Sequence, residues 1–186
     1  MIQVFIFFFF IMDWKLTEQE IIEKYHLKKT DFSSEDEYFL AVASEIGKTS
    51  TCNRGNCGCL LVQNGEIIAF WAADSPQGSA TCQEVWHKMW HVVHEDGRET
   101  DHCMRNNCAE QVAISSAAKH GYALDGAIMY VTMTPCSIRH CAHITVACGI
   151  KKVICSKRYH DYHDSEEIFK NAGVELKYLH DEVEKY

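Results

Sequence analysis

Ten cysteines in a chain of 186 residues limit the choice of fold more than any other feature of this sequence. They are Cys52, Cys57, Cys59, Cys82, Cys103, Cys108, Cys136, Cys141, Cys148 and Cys155. An even count admits a disulfide framework, the device of small secreted domains that cannot build a sufficient core. This chain is long enough to bury a core, and 47% hydrophobic with 24% charged residues is ordinary globular composition. Staples are not needed, and eleven histidines accompany the cysteines. The pattern points to a reduced, metal-binding chain, and so to the cytoplasm or another reducing compartment. Acidic residues outnumber basic ones by 26 to 18, a net charge of -8. That balance lacks the basic footprint that duplex nucleic acid calls for.

The first twelve residues, MIQVFIFFFFIM, have Gln3 as their one polar side chain. The stretch is too short for a membrane span of ~20 apolar residues. It has neither the basic flank nor the small-residue cleavage site of a signal peptide. Two readings stay open: Met12 is the true start, or the stretch is an apolar strand clasped on the body. Residues 13–186 read as a single domain without repeats, and no later run could span a membrane.

Residues 17–25 read as a helix, and Ser34 with Glu37 opens a second one over 35–47. Asn64-Gly65 between two apolar runs predicts a hairpin of strands 57–63 and 66–72. Residues 83–94 read as helical, and Asn106 or Asn107 caps a helix ending near Gly121. Strands follow at 126–133, 151–156 and 174–179, separated by helices that close at Gly149 and Gly173. Connections of a dozen residues or more imply parallel pairing of the last strands. The expected architecture is one mixed sheet with helices on both faces.

Two short segments carry chemistry: Cys108-Ala109-Glu110 at a helix start, and Pro135-Cys136 through Cys141 between a strand and a helix. Helix N-termini favour the thiolate that a metal takes. Three protein ligands with one open position describe a catalytic zinc. A carboxylate two residues after a ligand can carry protons beside the water held there. Five residues along one helix turn the chain through about 140°, so Cys136 and Cys141 cannot both face one ion from the same helix. Cys136 therefore belongs in a loop, with the helix starting near Cys141 and His140 as a rival ligand.

These residues resemble the three-cysteine variant of the signature of zinc nucleobase deaminases. The chain resembles the cytidine deaminase superfamily, and within it the deoxycytidylate (dCMP) deaminases, over roughly residues 35–180. The resemblance rests on Ser50-Thr51-Cys52-Asn53-Arg54, Gly58-Cys59-Leu60-Leu61-Val62, Cys108-Ala109-Glu110 and Pro135-Cys136. It continues through Cys141-Ala142, Gly149-Ile150-Lys151 and Tyr162-His163-Asp164-Ser165. It implies a three-layer α/β/α fold with a five-stranded mixed sheet and a parallel last strand. It implies hydrolytic conversion of dCMP to dUMP and ammonia, feeding thymidylate synthesis. Zinc on Cys108, Cys136 and Cys141 would activate water, with Glu110 as proton carrier. Ala109 and Thr134 would orient the base, Arg54 would meet the phosphate, and Tyr162 would complete the substrate contacts. A homo-oligomer is implied as well.

The chain departs from that family at four points. Cys108 stands where a His is usual, and the interval from Cys136 to Cys141 is two residues longer than usual. Ala73 and Val112 stand where Asn is common. Some relatives bind a second, structural zinc, and Cys52, Cys82, His102 and Cys103 match its positions, with His94 in reserve. His87, His91 and His94 would share one face of the helix expected at 83–94, mixed with Trp86 and Trp90. Cys57, Cys59, Cys148 and Cys155 read as core thiols. Three functions compete: a dCMP deaminase, a deaminase of another cytosine substrate, and a non-catalytic zinc-binding subunit. The intact Glu110 speaks against the last. The acidic balance and the lack of an aromatic-basic stripe speak against a polynucleotide.

Overall fold

The computed structural model describes residues 17–185. The apolar stretch 1–12, with its two readings, lies outside them. Along the chain run α1 (Glu18–Tyr25), α2 (Glu35–Gly47), β1 (Gly58–Gln63), β2 (Glu66–Ala72) and α3 (Cys82–Val85). Next come β3 (Met89–Val93), β4 (Glu99–Cys103), α4 (Ala109–Lys119) and β5 (Ile128–Met133). The chain ends with α5 (Cys141–Ala147), β6 (Lys152–Lys157), α6 (His163–Asn171) and β7 (Glu175–Tyr178).

Five strands form one sheet in the order β2-β1-β5-β6-β7. The pairs β1–β2 and β1–β5 are antiparallel, whereas β5–β6 and β6–β7 are parallel. Each parallel pair is joined by a crossover helix, α5 or α6, as parallel pairing requires. Asn64 at φ 55° and Gly65 at φ 81° turn β1 into β2 with the two left-handed residues of a type I′ turn.

Alternation along the strands builds the three layers. Cys59, Leu61, Met129, Val131, Val153 and Cys155 face α4, α5 and α6, against Ala113, Ala117, Ala142 and Phe169. Leu60, Val62, Tyr130 and Ile154 face the other way, onto Phe39, Val42 and Ile46 of α2 and Ile21 of α1. Helix α2 lies so close to β1 that a Cβ on Gly58 would sit 2.0 Å from the Ala43 carbonyl oxygen. Cys59 and Cys155 are core thiols as expected, whereas Cys57 and Cys148 are half-buried.

One expected element is replaced. Residues 83–94 hold a single helical turn, α3, followed by β3, which pairs with β4 in a separate two-stranded sheet. Val92 and Val93 favour a strand. The Asp96-Gly97 turn, with Gly97 at φ 83°, reverses the chain between β3 and β4. An amphipathic spacing of aromatic and histidine residues masked that turn signal. His87, His91 and His94 therefore share no helix face. His91 instead sits across from Asp101, with Nδ1 3.0 Å from its carboxylate. Helix α4 starts later than expected: Cys108 is its N-cap, and the backbone of Asn107 pairs with Asp74.

Candidate active site and metal centres

The chemistry-bearing cleft lies at one end of the sheet, where β5 and β1 meet the N-terminus of α4. Cys108 caps α4, Cys136 lies in the loop after β5, and Cys141 is the first residue of α5. The interval from Cys136 to Cys141 thus spans a loop and a helix start, and the helical-phase conflict disappears. The Cys108 and Cys136 Sγ atoms are 3.9 Å apart, those of Cys136 and Cys141 3.5 Å. Sulfurs bound to one tetrahedral zinc at 2.3 Å are about 3.8 Å apart. Sulfur–sulfur hydrogen-bond contacts with Cys108 and Cys141 hold the Cys136 thiol well below its ordinary range, while the contacts among the three hold the other two well above it. Three thiolates cannot coexist at this spacing without a cation, so the donor set fits the zinc that the resemblance implies. His140 is exposed at a left-handed N-cap and faces His143 instead.

Glu110 is buried beside these thiols, on the first turn of α4, and its Oε2 has no hydrogen-bond partner. Burial first, then the charge of Cys136, pushes its pKa up to about 8, against the pull of Arg139. A proton carrier works best with a pKa near the working pH. Arg139 belongs to the lengthened loop. Its guanidinium donates to the carbonyls of Cys103, at 3.0 Å, and of Asn106. Gln111 ties the two halves of the site, accepting from the Cys108 N–H at 3.2 Å and donating to the Arg139 carbonyl at 2.9 Å.

Of the expected substrate contacts, Arg54 and Thr134 line the cleft. Arg54 donates to the Asp101 carbonyl at 3.2 Å. Ala109 is fully buried at the start of α4. Tyr162 does not line the cleft; it caps α6 with the Arg158 guanidinium over its ring, and Tyr159 is the tyrosine on the cleft wall. Ala73 also lines the cleft, so the polar contact missing from the sequence is missing from the wall. Asn106 is a polar side chain on that wall: it lines the cleft, and its buried Oδ1 has no partner. Its neighbourhood of Asn-Asn-Cys read as a helix cap, which hid that role.

The residues expected to hold a second metal fall into two groups. Cys52, Cys82 and Cys103 come together with His87. Cys52 Sγ is 3.6 Å from His87 Nδ1, and Cys82 Sγ is 3.5 Å from Cys103 Sγ. His102 and His94 are elsewhere, beside Asp161. The reason is strand geometry: His102 and Cys103 are successive residues of β4, and successive side chains leave a strand on opposite faces. The helix expected over 83–94 groups His87 with His91 and His94, which hides it as a partner of the cysteines.

Comparison with known proteins identifies the family and the fold. Residues 33–157 match the family model described as the cytidine and deoxycytidylate deaminase zinc-binding region. The chain belongs to this deaminase family. It is 31% identical over 142 residues to ComE operon protein 2 of Bacillus subtilis, covering 76% of this chain and 69% of that one. It is 29% identical to the deoxycytidylate deaminase of Schizosaccharomyces pombe over 76% of this chain, and spans only 43% of that longer relative. The dCMP deaminase of cyanophage S-TIM5, solved in complex with dCMP and dUMP, superimposes with a TM-score of 0.61 at 26% identity. That match covers 77% of this chain and 95% of the phage chain. The deaminase sheet with parallel last strands is the sheet described above. Among the described residues, no helix is long and apolar enough to cross a membrane.

Proposed function

We propose that the chain is a zinc-dependent hydrolytic deaminase that converts dCMP and water to dUMP and ammonia. The observation that carries this reading is the convergence of Cys108, Cys136 and Cys141 on one point, with Cys108, Cys136 and Glu110, whose Oε2 is orphaned, lining the cleft. Zinc bound by the three thiolates would supply Lewis acidity, lowering the pKa of a water toward ~7. As the water oxygen bonds to C4, Glu110 would take the water's first proton at Oε2 and pass it to ring N3. It would then move the remaining proton, from the new C4 hydroxyl, to the amine, so that the C4–N bond breaks, ammonia leaves and the C4 carbonyl forms. The Ala109 N–H and the backbone near Thr134 orient the base. Arg54 offers the cleft a cation for the 5′-phosphate.

The tetrad of Cys52, Cys82, His87 and Cys103 belongs to the same proposal as a closed structural zinc site, since four ligands of this type leave no open position. A homo-oligomer and a reducing compartment complete it. The ten free thiols support that compartment.

Ammonia release from dCMP, CMP, deoxycytidine, cytidine and single-stranded DNA tests the reading, with Glu110→Ala as control. Preference for dCMP is expected. Turnover of another cytosine substrate without dCMP overturns the substrate, and zinc binding without any turnover overturns the enzyme.

A further inference from the structure

His94, His102 and Asp161 are brought together from three places: the residue that follows β3, the fourth residue of β4 and the loop between β6 and α6. Asp161 and His102 are fully buried, and His94 nearly so. His94 Nε2 lies 3.7 Å from Asp161 Oδ1, and His102 Nε2 lies 3.9 Å from Oδ2. These distances are too long for hydrogen bonds. They are close to the separation of about 3.4 Å between nitrogen and oxygen ligands of one tetrahedral ion.

The carboxylate is the decisive group. Its Oδ1 has a 3.3 Å contact from the Arg98 guanidinium, and its Oδ2 is buried without a partner. A buried carboxylate oxygen left unpaired is costly, and a cation relieves that cost. The surrounding groups orient the ligands as metal sites require. His102 Nδ1 is 2.9 Å from the Tyr159 hydroxyl, and donation there leaves the Nε2 lone pair for an ion. Thr100 Oγ1 lies 2.8 Å from both Nε2 atoms and bridges them. A rotation of about 120° about χ1 of Thr100 frees both nitrogens.

We propose that His94, His102 and Asp161 form a further divalent transition-metal site with two imidazoles and one carboxylate, separate from both thiolate sites. Imidazole with carboxylate suits zinc and its first-row neighbours. The ion ties the β3–β4 hairpin, a two-stranded sheet apart from the main one, to the loop that leads from Tyr159 on the cleft wall into α6. It thus fixes one wall of the substrate cleft.

The test is cobalt(II) titration of the metal-stripped full chain, followed by absorption spectroscopy. Thiolate sites give sulfur-to-cobalt charge transfer, and a site of nitrogen and oxygen ligands gives ligand-field bands without it. The wild type is expected to take up one equivalent that adds no charge transfer. Asp161→Asn loses that equivalent and keeps every thiolate band. His94→Gln, at the rim of the group, does the same and stands in for Asp161→Asn if that variant misfolds and loses its thiolate bands. Cobalt uptake accompanied throughout by charge transfer, or identical uptake in wild type and the variants, overturns the proposal and leaves a hydrogen-bond relay only. Failure of the deaminase reading would show separately, in ammonia release and in the bands of the Cys108 site.

Discussion

His102 and Cys103 are neighbours in the chain that serve different sites: His102 Nε2 lies 3.9 Å from Asp161, and Cys103 Sγ lies 3.5 Å from Cys82 Sγ. The pleat of β4 separates them, so substitutions at the two groups should separate as well. Cys82→Ser is expected to remove one metal equivalent with its thiolate bands and to lower the thermal midpoint by several degrees. At this chain length each 1 kcal/mol is worth about 2–4 °C. His102→Gln should leave the thiolate-bound equivalents unchanged. Metal analysis with a thermal scan checks both.

Glu110→Gln should lower kcat by about 10²–10⁴-fold, the usual contribution of a positioned proton carrier. The amide keeps the volume of the side chain beside Cys136, so zinc content should match wild type. Ammonia release alongside metal analysis tests the pair of expectations. Loss of metal together with activity would make Glu110 structural instead.

Asn106→Ala should raise KM for the preferred nucleotide roughly tenfold, the worth of one buried hydrogen bond of about 1.4 kcal/mol. Its orphaned Oδ1 on the cleft wall is a polar acceptor on a cleft whose Ala73 offers none. An unchanged KM across the cytosine substrates would remove Asn106 from the recognition set.

Gly58→Ala should cost about 3 kcal/mol or more, because the new methyl meets the Ala43 backbone and only movement of α2 against β1 can relieve it. Urea unfolding measures the loss. Gly65→Ala is expected to cost less: its Cβ meets open space, and only the positive φ is strained.

Cysteine spacing and helix-start chemistry made the Cys108, Cys136, Cys141 and Glu110 set legible, because each ligand sits next to a local signal, a cap, a turn or a proline. The Cys136–Cys141 interval even exposed its own geometry, since helical phase forbids both on one helix. The sheet was legible for a similar reason: Asn64-Gly65 and the alternation of Leu60, Leu61 and Val62 are local codes for a turn and a two-faced strand. The β3–β4 hairpin was not legible. Its Asp96-Gly97 turn lies among residues whose aromatic and histidine spacing imitates a helix, and only pairing with β4 resolves the conflict.

The sequence by itself therefore determined the deaminase family and the layers, because both are carried by patterns a few residues long. Tertiary structure alone decided which histidine joins which cysteines. His87 reaches Cys52 across 35 residues, and Asp161 reaches His102 across nearly sixty. Such groupings are set by where the pleat of β4 sends each side chain and by which loop arrives to meet it, and no local code carries that information.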